Sequence, residues 1–211
     1  MFFPVIVHLS AGLWVYNVEP SLEGWYIAHI WTPLFEIFRQ LDNVKLEMTE
    51  KMPTIKINDS EEKHDIILTH KSESAKIDIL IAEVKANSNE KKKGGPDSES
   101  TIEREKDILK VMKTMSNSLN EMKRITTPNT HQDLRSYGKV MSGYQVSILE
   151  AQLIKGTNQI DIVVIYGVGN YHIAKRANDC PKLWYGVRSF MALKRRMHGT
   201  IQLLNTNNIP V

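Results

Sequence analysis

Asp65, Glu83 and Lys85 are the residues of this chain whose types and spacing point to chemistry. They lie in KHDIILTHKSESAKIDILIAEVK, residues 63–85, where an Asp opens one apolar run and a Glu-x-Lys closes the next. Side chains alternate across a β-strand, so Ile77, Ile79, Ile81, Glu83 and Lys85 share one face. Asp65 starts the preceding run, with Ile67 and Thr69 on its side. A hairpin turning within THKSESAK sets the start of the first strand beside the end of the second. Two carboxylates and an ammonium then meet at one end of a sheet. That set suits phosphodiester hydrolysis. Carboxylate oxygens hold Mg²⁺ (or Mn²⁺), which prefers oxygen ligands and keeps several waters. The metal acidifies a bound water and offsets charge on the phosphate. Lys85 would position the attacking water or stabilise the transition-state charge.

The same alternation sorts the neighbours. Asp78 has the parity of Leu80, Ala82 and Val84, so it falls on the face opposite Glu83. His64 has the parity opposite Asp65 and reads as a surface or core histidine, not a metal ligand. Pro96-Asp97 lies beyond Glu83 in a polar stretch and is no part of the set.

The elements that must position these residues follow from periodicity. Leu22, Tyr26, Ile30, Leu34, Phe38 and Leu41 recur at helical steps and predict a helix over 21–41, with a kink or break at Pro33. Glu23 sits in its first turn on the core-facing side. A first strand is expected within 44–57, interrupted at Pro53, and further strands over 63–70 and 77–86. Residues 87–101 read as a flexible loop, because they turn polar around Lys91-Lys92-Lys93-Gly94-Gly95-Pro96. A second helix is expected over 102–123, with Ile108, Met112, Met115, Leu119 and Met122 as its buried stripe. Strand-rich segments follow at 137–154 and 160–174. The last helix is expected over 182–197, with Leu183, Trp184, Val187, Phe190, Met191 and Met197 apolar. The domain layout is therefore an N-terminal arm at 1–20, one domain at 21–198 and a C-terminal tail at 199–211. An α/β fold accommodates this order, as a three-layer α/β/α sandwich with a mixed central sheet.

Along 21–197 the chain resembles the PD-(D/E)XK, or restriction-endonuclease-like, nuclease superfamily, whose core runs αβββαβ. LEGWYIAHIWTPLFEIF supplies a helix glutamate, Glu23; HDIIL supplies Asp65; AEVK supplies Glu83 and Lys85. DILKVMKTMSNSLNEM supplies a basic helix residue, Lys110, with Lys106 and Lys113 as rivals. The wording is also similar to a group of uncharacterised fungal proteins. The resemblance implies a Mg²⁺-dependent DNase in which Asp65, Glu83 and Glu23 hold the metal. It departs from the family pattern at His64, where a proline usually stands. The superfamily also contains members that have lost catalysis and only bind nucleic acid or protein.

Composition sets outer limits. The chain has 211 residues, 42% hydrophobic and 24% charged, which suits one globular domain. A single cysteine, Cys180, excludes an internal disulfide and favours a reducing compartment, nucleus or cytoplasm. The apolar stretch Phe2–Tyr16 is too short and mixed to span a membrane. The seven histidines show no metal-ligand spacing. The net charge of +3 is modest, but residues 181–211 contain no Asp or Glu. Lys194, Arg195 and Arg196 are the expected nucleic-acid contacts there, at the C-terminal end of the last helix, where cations also complement the dipole.

Overall fold

The protein, seen in a computed structural model, is described over residues 23–51, 53, 63–71, 75–85, 99–156, 160–173 and 180–206. The expected N-terminal arm and most of the expected 87–101 loop lie outside these residues. The chain opens with α1, a helical run that changes type along its length. It is α over Glu23–Tyr26, π over Ile27–Trp31, α again over Thr32–Phe35 and 3₁₀ over Glu36–Gln40. Pro33 explains the irregularity, since its ring excludes a donor from the ladder. The break expected there is a wide turn in a helix that continues. The backbone N–H and the hydroxyl of Thr32 both donate to the Ile27 carbonyl, five residues back.

Strands β1 (Val44–Lys51), β2 (His64–Lys71) and β3 (Lys76–Lys85) follow, then α2 (Glu99–Ile125) and a 3₁₀ turn at Pro128–Asp133. After it come β4 (Arg135–Ser142), β5 (Gln145–Lys155), β6 (Asp161–His172) and the final helix α3 (Cys180–Thr206). The fold is α/β with one six-stranded mixed sheet in the order β1-β2-β3-β4-β5-β6. Neighbours are antiparallel except β3 and β4, which run parallel with α2 as the crossover. That parallel pair brings the C-terminal ends of β3 and β4 together, Lys85 opposite Ser142.

Adjacent residues of β4 show what packs on the sheet. A Cβ built on Gly138 would stand 2.4 Å from both Met115 Sδ and Val111 Cγ1 of α2. Its neighbour Lys139 is enclosed by Phe35 and Phe38 of α1 and Phe190 of α3. Gly138 thus lets α2 approach the strand closely. Gly138→Ala is expected to destabilise the fold by about 1–3 kcal/mol through overpacking. Gly167→Ala, where an added Cβ meets nothing among the described residues within 4 Å, should be near neutral in the same thermal melt.

The buried stripe of α2 includes Val111, Met115, Leu119, Met122 and Ile125, while Met112, expected in it, is half-buried. The expected end of the last helix at Met197 is corrected. Ile201 and Leu204 continue the buried stripe of Val187, Phe190 and Met197, and the helix runs through Gly199 to Thr206. The two glycines of Gly167-Val168-Gly169 flank a bulge. Leu149 pairs with Gly167 and Ile148 with Gly169, so Val168 is the extra residue.

Candidate functional site

Glu83 lies at the end of β3 and is 3% exposed. A carboxylate buried this far needs partners. Two cations or donors reach the same oxygen, Oε1: His64 Nδ1 at 2.5 Å and Lys110 Nζ at 2.8 Å. Burial alone would raise the Glu83 pKa, but these two partners outweigh it and hold it below the ordinary carboxylate value. An ionised carboxylate only accepts, so His64 Nδ1 donates. The other ring nitrogen, Nε2, lies 3.0 Å from the Thr114 hydroxyl of α2. Lys110 comes from α2 one turn earlier and also donates to the Lys63 carbonyl, which ties the helix to the start of β2. Its rivals Lys106 and Lys113 are exposed.

His64 is a core histidine, fully buried, and, contrary to the parity expected of it, turns toward Glu83. Strict alternation fails because the β2–β3 ladder ends at Ile66–Ala82. His64 pairs instead with Lys51 of β1, beyond a register shift. Where the ladder stops, the Asp65 carboxylate takes over a backbone role: its Oδ2 accepts from the Val84 N–H at 2.7 Å. Asp65 is thereby fixed beside the residue that follows Glu83. Asp78 lies outside this group, buried and accepting from the Thr69 hydroxyl at 2.9 Å.

Lys85 closes the group. Its Nζ lies 3.9 Å from Glu23 of α1 and 3.9 Å from Asp107 of α2, and the side chains of Lys85 and Glu23 are about two-fifths exposed. Neighbouring carboxylates act on both Glu23 and Asp65. Burial raises the Glu23 pKa first, and the negative charge of Asp65 adds to it, with smaller contributions from Glu83 and Asp107. Burial also raises Asp65, opposed by the Val84 N–H and reinforced by Glu83. For Lys85, burial disfavours the charge, but Asp107, Glu23, Asp65 and Glu83 together raise its pKa. Glu23, Asp65, Glu83, Lys85 and Lys110, all singled out from the sequence, therefore meet at one end of the sheet. His64, Asp107 and Thr114 join them unforeseen. Asp107 is three residues before Lys110 and so shares its helix face, a spacing that was readable.

Among the described residues, no three His, Cys, Asp or Glu side chains are drawn together tightly enough to enclose a metal ion as they stand. The lysines within the group are Lys85 and Lys110. The donors present are carboxylate oxygens, whose chemistry is that of Mg²⁺ or Mn²⁺ sites.

The C-terminal basic residues are placed differently from expectation. Because α3 continues to Thr206, Lys194, Arg195 and Arg196 sit mid-helix and not at its C-terminal end, where the dipole would favour them. Lys194 donates to Gln40 Oε1 at 2.7 Å, and Arg196 pairs with the buried Glu150 at 2.7 Å. Glu150 also meets Arg135 at 3.4 Å and the Tyr166 hydroxyl at 2.6 Å. Arg196 is thus held in an internal network, while Arg195 is exposed. No helix of the described residues is long and apolar enough to cross a membrane.

No protein-family model matches the chain, no curated protein matches it, and no solved structure matches it.

Proposed function

We propose that the chain is a metal-dependent nuclease-like domain that hydrolyses DNA phosphodiester bonds, built on a restriction-endonuclease-like αβββαβ core within a three-layer α/β/α sandwich. The observation that carries this reading is the meeting of Glu23, Asp65, Glu83 and Asp107 around Lys85, each from a different element except Glu83 and Lys85. Like charges held together at partial burial are costly unless a cation relieves them. A divalent ion does so at Glu23 and Asp65, whose pKa values are raised first by burial and then by neighbouring carboxylates. The order α1, β1, β2, β3, α2, β4 supports the core assignment.

In this reading Glu23, Asp65 and Glu83 would hold Mg²⁺ or Mn²⁺. Glu83 would offer Oε2, since Oε1 serves His64 and Lys110. The ion supplies an acidified water and charge neutralisation at the phosphate. Lys85 is kept protonated by its carboxylate neighbours, so it acts as a fixed cation toward the scissile phosphate and not as a base. His64 orients Glu83 from the dry side.

One observation favours a second reading, a catalytically inactive module that binds nucleic acid or protein. The internal partners of Glu83 satisfy one carboxylate oxygen without any metal. Incubating purified protein with single-stranded and duplex DNA, with Mg²⁺, Mn²⁺ or a chelator, separates the two. The nuclease reading expects cleavage that needs the metal and stops on chelation. Intact DNA under every metal condition leaves the inactive module.

A further inference from the structure

We propose that the start of α3 is a stacking platform for unpaired bases, so that the nucleic acid this protein engages is single-stranded at the point of contact. Trp184 and Tyr185 are 56% and 63% exposed, among side chains that proteins usually bury for their large apolar area. Their helix, Cys180–Thr206, contains no Asp or Glu, and Arg188, one turn on, is also exposed. Rings beside an all-positive helix face match a polyanion whose bases offer open π-faces. A duplex buries those faces in its own stack. A protein partner has no general need for the uniformly positive charge.

The platform is continuous with the Lys85 end of the sheet. The Lys85 carbonyl accepts from Gly143 N–H at 2.9 Å, in the β4–β5 turn. The next residue, Tyr144, accepts through its carbonyl from Ile173 N–H at 2.8 Å. Ile173 lies against Gly186 of α3, and Tyr171 meets the Tyr185 ring at 6.3 Å between centroids. A strand laid over the start of α3 would thus lie on an element tied through Ile173 and the β4–β5 turn to the Lys85 end of the sheet. Arg188 supplies the phosphate contact that an acidic cluster cannot.

Where the strand leads rests on the nuclease reading; its binding does not. The test is fluorescence anisotropy with a labelled single strand of about 15 nucleotides, a typical site size for such grooves, in chelator so that no cleavage intervenes. Wild type is expected to bind it at least tenfold more tightly than the matching duplex. The Trp184→Ala/Tyr185→Ala double variant should lose about tenfold or more in affinity, while Trp184→Phe keeps most of it. Both side chains are exposed, so the thermal midpoints should agree. Equal binding by wild type and double variant, preference for duplex, or no binding of the single strand would each overturn the platform. Single-strand binding as expected, with no cleavage once Mg²⁺ is added, would remove the nuclease reading and leave the platform. Duplex cleavage unaffected by the double variant would do the reverse.

Discussion

Glu83→Gln is expected to lower metal-dependent DNA cleavage by roughly 10²–10³-fold, the scale of removing one preorganised charge from a site that stabilises a transition state. Gln keeps the shape of Glu83 and can still accept from His64 and Lys110, so the fold around β3 should persist. What disappears is the negative charge that a cation would meet. Lys85→Met should cost a similar factor for the opposite reason, because it removes the fixed ammonium while leaving the carboxylates. Lys106→Ala, exposed on α2 away from this group's ion pairs, should cleave as wild type does. Initial rates on labelled DNA, with a thermal melt of each variant, decide the matter. A Glu83→Gln protein that melts normally and cleaves at the wild-type rate removes Glu83 from the chemistry.

The same group sets the expected pH dependence. Metal holding needs ionised carboxylates. Burial and neighbouring charge raise the pKa of Glu23 and Asp65, whereas His64 and Lys110 hold Glu83 low against its burial. Activity should therefore fall on acidification first through Glu23 and Asp65, at a pH above the ordinary carboxylate value, while Glu83 is still ionised. Glu23→Gln should lower the rate and move that acid limb. Asp65→Asn should do the same, with Asn able to keep accepting from the Val84 N–H through its amide oxygen.

The group was legible because strand alternation is a strict rule wherever the ladder holds. Glu83 and Lys85 lie at the end of β3, and Asp65 comes beside them through the hairpin together with the register shift between Leu68 and Thr69. His64 escaped because the rule stops where the ladder stops: beyond Ile66–Ala82 the strand is anchored by the Asp65 side chain and by pairing with Lys51. Lys110 was selected among three lysines only by likeness to a family pattern, since α2 carries lysines at 106, 110 and 113 and periodicity cannot say which one reaches down. The expected end of α3 at Met197 fell short because the burial of Ile201 and Leu204 outweighs the roughly 1 kcal/mol that Gly199 costs inside a helix. Trp184 was grouped with the apolar face by residue type and is instead turned to solvent. Glu150 gave no signal at all. Its partners Arg135, Tyr166 and Arg196 lie on three other elements, and only the folded sheet assembles them.

Lys139→Met is expected to stabilise the protein by about 1–4 kcal/mol at neutral pH, as when buried charges give way to apolar side chains of similar volume. Lys139 is fully buried on β4, and its Nζ has no hydrogen-bond partner among the described residues. Its surroundings are aromatic: the Phe190 ring centroid lies 2.9 Å away, and those of Phe35 and Phe38 lie 5.0 and 5.2 Å away. Ring faces attract an ammonium by about 2 kcal/mol when it is desolvated, less than the several kcal/mol that burying the charge costs. Burial therefore drives the Lys139 pKa well below the ordinary lysine value, and the native state favours the neutral amine. The unfolded chain keeps a pKa near 10.4, so between the two values unfolding takes up a proton. Wild-type stability should rise with pH across that window as this uptake fades. Lys139→Met lacks the proton, so its advantage should be widest on the acid side and narrow as pH climbs toward about 10.4. Denaturant melts of both proteins at a series of pH values measure the gap, and the other titrating groups cancel in the difference. A gap that stays constant with pH would show that Lys139 carries the same charge folded and unfolded.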